Sequence, residues 1–129
     1  MKILEIDYDY YSYPQGISSI EEFISYINRN YNSFISMTQF EVENCAFPYL
    51  IEEEKKQKYL NVSQMKCVTE VDATVLPKIE YDARLEQVVR TKCVDCTYYT
   101  EVVNGDNLKG HREKITLDGD CWGFVKKED

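Results

Sequence analysis

Histidine is almost missing from this chain: His111 is the single imidazole in 129 residues. Any Ser–His–acid or Cys–His relay has to be built around that one ring, and no Gly-x-Ser-x-Gly elbow or Walker-type phosphate loop accompanies it. Glycine (5 residues) and proline (3) are also sparse, and no linker, low-complexity tract or internal repeat interrupts the chain. No apolar run approaches the roughly 20 residues of a membrane helix. The opening stretch places Glu5, Asp7 and Asp9 where a secretory leader needs unbroken apolar sequence, so the expected location is cytoplasmic. Positive charge is in deficit too, with 15 Lys and Arg against 23 Asp and Glu and a net charge of −8. A protein that coats nucleic acid or an anionic membrane needs a basic face, so direct contact with either is not expected; a basic protein is the suited partner.

With 43% hydrophobic and 29% charged residues, the composition is that of an ordinary folded domain able to bury a real core. Residues 4 to 10 alternate, Leu4, Ile6, Tyr8 and Tyr10 against Glu5, Asp7 and Asp9, which predicts a half-buried strand. Ser18 or Ser19, followed by Glu21 or Glu22, makes a capping box ahead of Ile20, Phe23, Ile24, Ile27 and Tyr31 at helical spacing. That helix is expected to end near Asn30 to Asn32, and residues 34 to 43 return to an extended pattern. Residues 44 to 58 carry no decisive pattern. Val- and Thr-rich residues 59 to 75 read as strand. Residues 79 to 90 match a strand at more positions than a helix, with helix the rival through Tyr81, Leu85, Val88 and Val89. Residues 97 to 103 and 108 to 117 read as two strands joined around Asn104-Gly105. The expected fold is a single α+β domain over 1–129: a mostly antiparallel sheet with one N-terminal helix over 1–92, and a zinc-knuckle hairpin over 93–129.

The chemistry-bearing constellation is Cys93-Val94-Asp95-Cys96, then His111, then Cys121. Three thiolates and one imidazole make a closed tetrahedral set for structural Zn2+, and a Cys-x-x-Cys turn can present two sulfurs to one ion. In a reducing compartment, the five cysteines favour thiols and thiolate ligands over a disulfide framework. The fourth ligand stays open. A hairpin turning on residues 104 to 107 sets His111 opposite Thr100, roughly 13 Å from Cys96 at the strand rise. Cys67 or Cys45 are the alternatives, and unliganded thiols or a redox pair remain the competing readings. His111-Arg112-Glu113 also spells the His-x-Glu of zinc nucleobase deaminases, but the order of the motifs is reversed, Lys92 stands where that family has proline, and Cys121 would fill the water position. No catalytic residues are therefore assigned.

The second feature is the acidic, tyrosine-rich start, where residues 1 to 60 hold ten acidic and five basic side chains. Glu5, Asp7, Asp9, Tyr10, Tyr11 and Tyr13 are the candidate partner-binding residues, since carboxylates can occupy phosphate-reading pockets and tyrosines anchor at low entropy cost. The competing reading packs the tyrosines inward and leaves the acids as a solvated face.

The tail KCVDCTYY…LDGDCWGF resembles the cysteine-knuckle tails of small proteins from bacterial mobile elements and prophages, over about the last quarter of the chain. Anti-CRISPR proteins among them are often small, acidic and without enzymatic motifs, and many occupy the nucleic-acid channel of an RNA-guided nuclease. The resemblance implies Cys93, Cys96 and Cys121 as metal ligands and a non-catalytic inhibitor that keeps target DNA from loading. An immunity protein against a cognate toxin is the nearest alternative, and a zinc-dependent enzyme or RNA-binding module the third.

Overall fold

The computed structural model describes residues 1–42, 47–96 and 115–120. The chain divides into two compact units, each built from two stretches: Met1–Glu41 with Glu54–Ala73, and Val42–Glu53 with Thr74–Asp129. Helices and a mainly antiparallel strand arrangement make the fold α+β, as expected.

The first unit is a five-stranded antiparallel sheet with one helix on its inner face. Its strands are β1 (Lys2–Ile6), β2 (Asp9–Tyr11), β3 (Phe34–Phe40), β5 (Lys55–Asn61) and β6 (Val68–Asp72), in the order β5-β3-β2-β1-β6. Helix α1 (Ile20–Arg29) starts where the capping box places it: the Ser19 hydroxyl accepts the Glu22 N–H at 3.2 Å, and Glu21 and Glu22 sit at the positive end of the helix dipole. Asn30 closes it by donating from its side chain to the Tyr26 carbonyl at 2.8 Å. The helix buries Phe23 against Leu4, Ile6, Tyr11, Ile35, Met37 and Val62, and each such side chain removed from water contributes roughly 1.5–3 kcal/mol.

The expected continuous strand over residues 4 to 10 is instead a hairpin. Ile6 pairs with Asp9, and the two residues between them take positive φ, 48° at Asp7 and 75° at Tyr8. Positive φ at both central residues is the hallmark of a type I′ turn, whose twist matches that of the flanking strands. Asp7 makes the break possible because its carboxylate accepts the backbone N–H of Lys66 (3.1 Å) and of Cys67 (2.9 Å), while its own N–H donates to the Cys67 carbonyl at 3.0 Å. The even-numbered face therefore ends at Ile6, and inward packing resumes at Tyr11.

The second unit holds β4 (Tyr49–Ile51) and β7 (Thr74–Leu76), paired in parallel, followed by helix α2 (Lys78–Lys92). A second helix corrects the expectation of a strand at 79–90 and of one helix in the fold. Tyr81, Leu85 and Val89 are buried at four-residue steps, whereas Ile79, which a strand would turn inward with them, is 83% exposed. Glu80–Arg84 and Glu86–Arg90 form i,i+4 ion pairs at 2.7 and 2.9 Å on the outer surface. Alternation and helical spacing overlap in this segment, and the narrow four-residue stripe together with these pairs decides for helix. At the N-terminus of α2, the Glu53 carboxylate accepts the Lys78 N–H at 2.7 Å. The expected hairpin over 97–117 lies outside the described residues except for its last three positions. No helix among the described residues is long and apolar enough to cross a membrane.

Candidate functional site

Two places concentrate the candidate residues, one in each unit. In the first, the β1–β2 hairpin carries the acidic and aromatic set. Glu5 lies between Tyr10 and Thr69 across the sheet and is half-buried. Asp7 is committed to the backbone of Lys66 and Cys67, so its carboxylate acts as an internal clamp. Tyr11 is buried in the core with Phe23 of α1. Burial, and next the charges of Asp9 and Asp7, push its phenol above the usual range, while burial and Glu5 do the same to Tyr10. Tyr13 stacks edge-on against Phe23 at 6.4 Å and donates its hydroxyl to Glu70. Burial and that hydrogen bond together raise its pKa. Asp9 and Tyr10 remain half-buried at the surface.

Sequence reasoning missed the residues that stand out most. Tyr8, at the hairpin tip, is 89% exposed; Phe34 and Tyr59, diagonal neighbours on β3 and β5, are 68% and 70% exposed. Phe34, Tyr59 and Asp9 border a groove of about 330 Å³ that also takes in Asp7, Lys58 and Met65. Tyr8 belongs to the acidic, tyrosine-rich start, but its apparent place in the alternation pointed inward. For Phe34 and Tyr59 the signal was weaker still, because strand propensity alone does not choose a face.

In the second unit the buried stripe of α2 runs Tyr81, Leu85, Val89 and on to Cys93, so the first cysteine caps the helix on its core side. Cys93 and Cys96 are 3% and 5% exposed, and the Cys96 N–H donates to the Cys93 carbonyl at 2.9 Å, closing a tight turn around exposed Val94. A helix end, and not the expected strand, leads into the Cys-x-x-Cys pair. Close by stands a second tight turn. The Thr116 hydroxyl accepts the N–H groups of Asp118 and Asp120 at 3.2 Å each, and Tyr49 donates its hydroxyl to Asp118 at 2.7 Å. That bond, first, and burial raise the pKa of Tyr49. Gly119 has φ 93°, and a Cβ there would stand 3.4 Å from Lys92, so the turn before Cys121 abuts the helix end before Cys93. His111, Cys121 and Cys45 lie outside the described residues. Cys67 is exposed in the first unit, its N–H bound to Asp7. Among the described residues, no three metal-ligating side chains cluster.

The acid-and-aromatic rim thus belongs to the first unit, and the cysteine turn to the second. Compared with protein-family models, with curated proteins and with solved structures, the chain matches none.

Proposed function

We propose that the protein acts without catalysis of its own, as an acidic binder of a basic bacterial protein. In its most concrete form it is an anti-CRISPR-like inhibitor that docks on an RNA-guided nuclease and keeps target DNA from loading. The supporting observation is Tyr8, a bulky side chain carried at φ 75° and left 89% exposed at the tip of an acid-flanked hairpin. A non-glycine residue in that conformation costs energy that a purely structural turn would avoid, and such strain concentrates at binding sites. Exposed tyrosine beside carboxylates suits a basic surface, and the net charge of −8 steers association with it.

In this reading Zn2+ stiffens the C-terminal corner. Cys93 and Cys96 supply two buried sulfurs, and the contact between Lys92 and Gly119 favours Cys121 as the third ligand. His111, Cys67 and Cys45 are the candidates for the fourth. Purified protein is expected to hold about one zinc per chain, and Cys93→Ser to release it with marked loss of stability. Elemental analysis finding no metal in the wild type refutes the zinc assignment.

The functional test is expression in a bacterium with active RNA-guided interference against a marked plasmid. Plasmid survival is the expected result, and undiminished clearance overturns the nuclease-inhibitor reading. Rescue from a co-encoded toxin would instead make the chain an immunity protein.

A further inference from the structure

The two edges of the five-stranded sheet differ in a way that selects a partner. In the β1–β6 ladder, Met1 and Ala73 exchange both backbone bonds, Ala73 N–H to Met1 carbonyl at 2.9 Å and Met1 amine to Ala73 carbonyl at 3.0 Å. Hydrogen-bonded pairs alternate along an antiparallel ladder, so Ile3–Val71 and Glu5–Thr69 are bonded pairs as well. Lys2–Asp72, Leu4–Glu70 and Ile6–Val68 are the intervening pairs. The N–H and C=O groups of Val68, Glu70 and Asp72 therefore face away from β1, along the outer edge. Among the described residues nothing hydrogen-bonds to them. Thr69, Glu70 and Asp72 are exposed.

Edge strands are ordinarily defended by lysine, proline or a bulge. The opposite edge, β5, fits that rule with Lys55, Lys56 and Lys58. The β6 edge carries no proline, lysine or bulge, and its charged residues are Glu70 and Asp72. We infer that β6 is a docking edge that accepts an extended, Lys- or Arg-bearing strand of the partner by β-augmentation. This inference rests on the reading of the chain as a binder of a basic protein, and it names the mode of binding. Main-chain bonds to Val68, Glu70 and Asp72 supply the affinity, and opposite charge across Glu70 supplies the selectivity. The same basic strand is repelled by the lysines of β5. Pairing of β6 with β6 of a second copy is disfavoured, because an antiparallel arrangement about its centre sets Glu70 against Glu70.

The probe is the peptide Lys-Val-Arg-Thr-Lys-Val-Arg, with a Glu-substituted version as control, titrated into the full chain and followed by amide hydrogen exchange. Slowed exchange at Val68, Glu70 and Asp72 with the basic peptide alone is expected. Glu70→Lys is expected to weaken the peptide about tenfold, from the swing between opposite and like charge across one cross-strand pair. Glu70→Gln, which keeps an acceptor for Tyr13 and the edge N–H, is expected to weaken it about threefold. Protection elsewhere but not on β6, or equal affinity in Glu70→Lys, overturns the inference. So does protection of β6 that grows with protein concentration in the absence of peptide, which assigns the edge to β5 of a second copy. Nuclease inhibition retained unchanged in Glu70→Lys removes the edge while the binder reading stands; peptide-protected β6 without nuclease inhibition does the opposite.

Discussion

Tyr8 and Asp7 show how much one turn hangs on two side chains. Left-handed backbone costs an L-residue roughly 1–2 kcal/mol, and glycine avoids that cost while losing part of the gain to its freer unfolded state. Tyr8→Gly is therefore expected to stabilise the fold by up to about 1 kcal/mol, read as a higher urea midpoint, while weakening partner capture. A midpoint that stays level or falls would show that the turn holds no strain to relieve. The concentration of acids and tyrosines was plain from composition and spacing. Which of them face outward was not, because the clamp on Asp7 comes from backbone 59 and 60 residues away. Tyr11, a candidate for partner contact by its place among the acids and tyrosines, is buried because the hairpin sets it opposite Leu4 on the core face.

Among the elements, α1 and α2 contrast in legibility. Ser19, Glu22 and the spacing of the apolar residues mark α1 with local signals that agree with one another. Helix α2 lacks a side-chain cap of its own, takes its N-terminal acceptor from Glu53, and buries so narrow a stripe that alternation matches more positions than helical spacing does. The distinction is measurable. Leu85→Ala is expected to destabilise by about 2–5 kcal/mol, and Ile79→Ser by no more than about 0.5 kcal/mol, in urea denaturation. Comparable losses at both positions would restore the strand reading, which turns both side chains inward. The Cys-x-x-Cys motif was legible from spacing alone; that a helix end carries its first cysteine into the core was not.

At the scale of the whole molecule, pH offers a global test. Tyr10, Tyr11, Tyr13 and Tyr49 all have pKa values raised above the ordinary 10.0, the first three chiefly by burial and Tyr49 chiefly by its bond to Asp118. A raised folded-state value means that the native protein keeps protons the unfolded chain gives up. Their contribution to stability is therefore complete below about pH 10 and declines as pH climbs through the folded values. Ultraviolet titration of the 11 tyrosines is expected to show a late group that ionises together with unfolding. A single reversible step near pH 10 with the fold intact would contradict it.

Residue order alone was enough for whatever repeats within a few positions: the capped first helix, the mixed helix and strand content, the negative charge and the paired cysteines. Those features depend on near neighbours, and near neighbours are all that a pattern can register. The hairpin at Asp7-Tyr8 and the unequal edges of the sheet needed the folded chain, because each involves segments far apart in sequence that meet through backbone hydrogen bonds; the helical state of α2 needed it because only packing shows that Tyr81, Leu85 and Val89 are buried while Ile79 is exposed. A carboxylate that finds two amides 59 and 60 residues on can turn a strand back on itself, and no local periodicity announces that meeting.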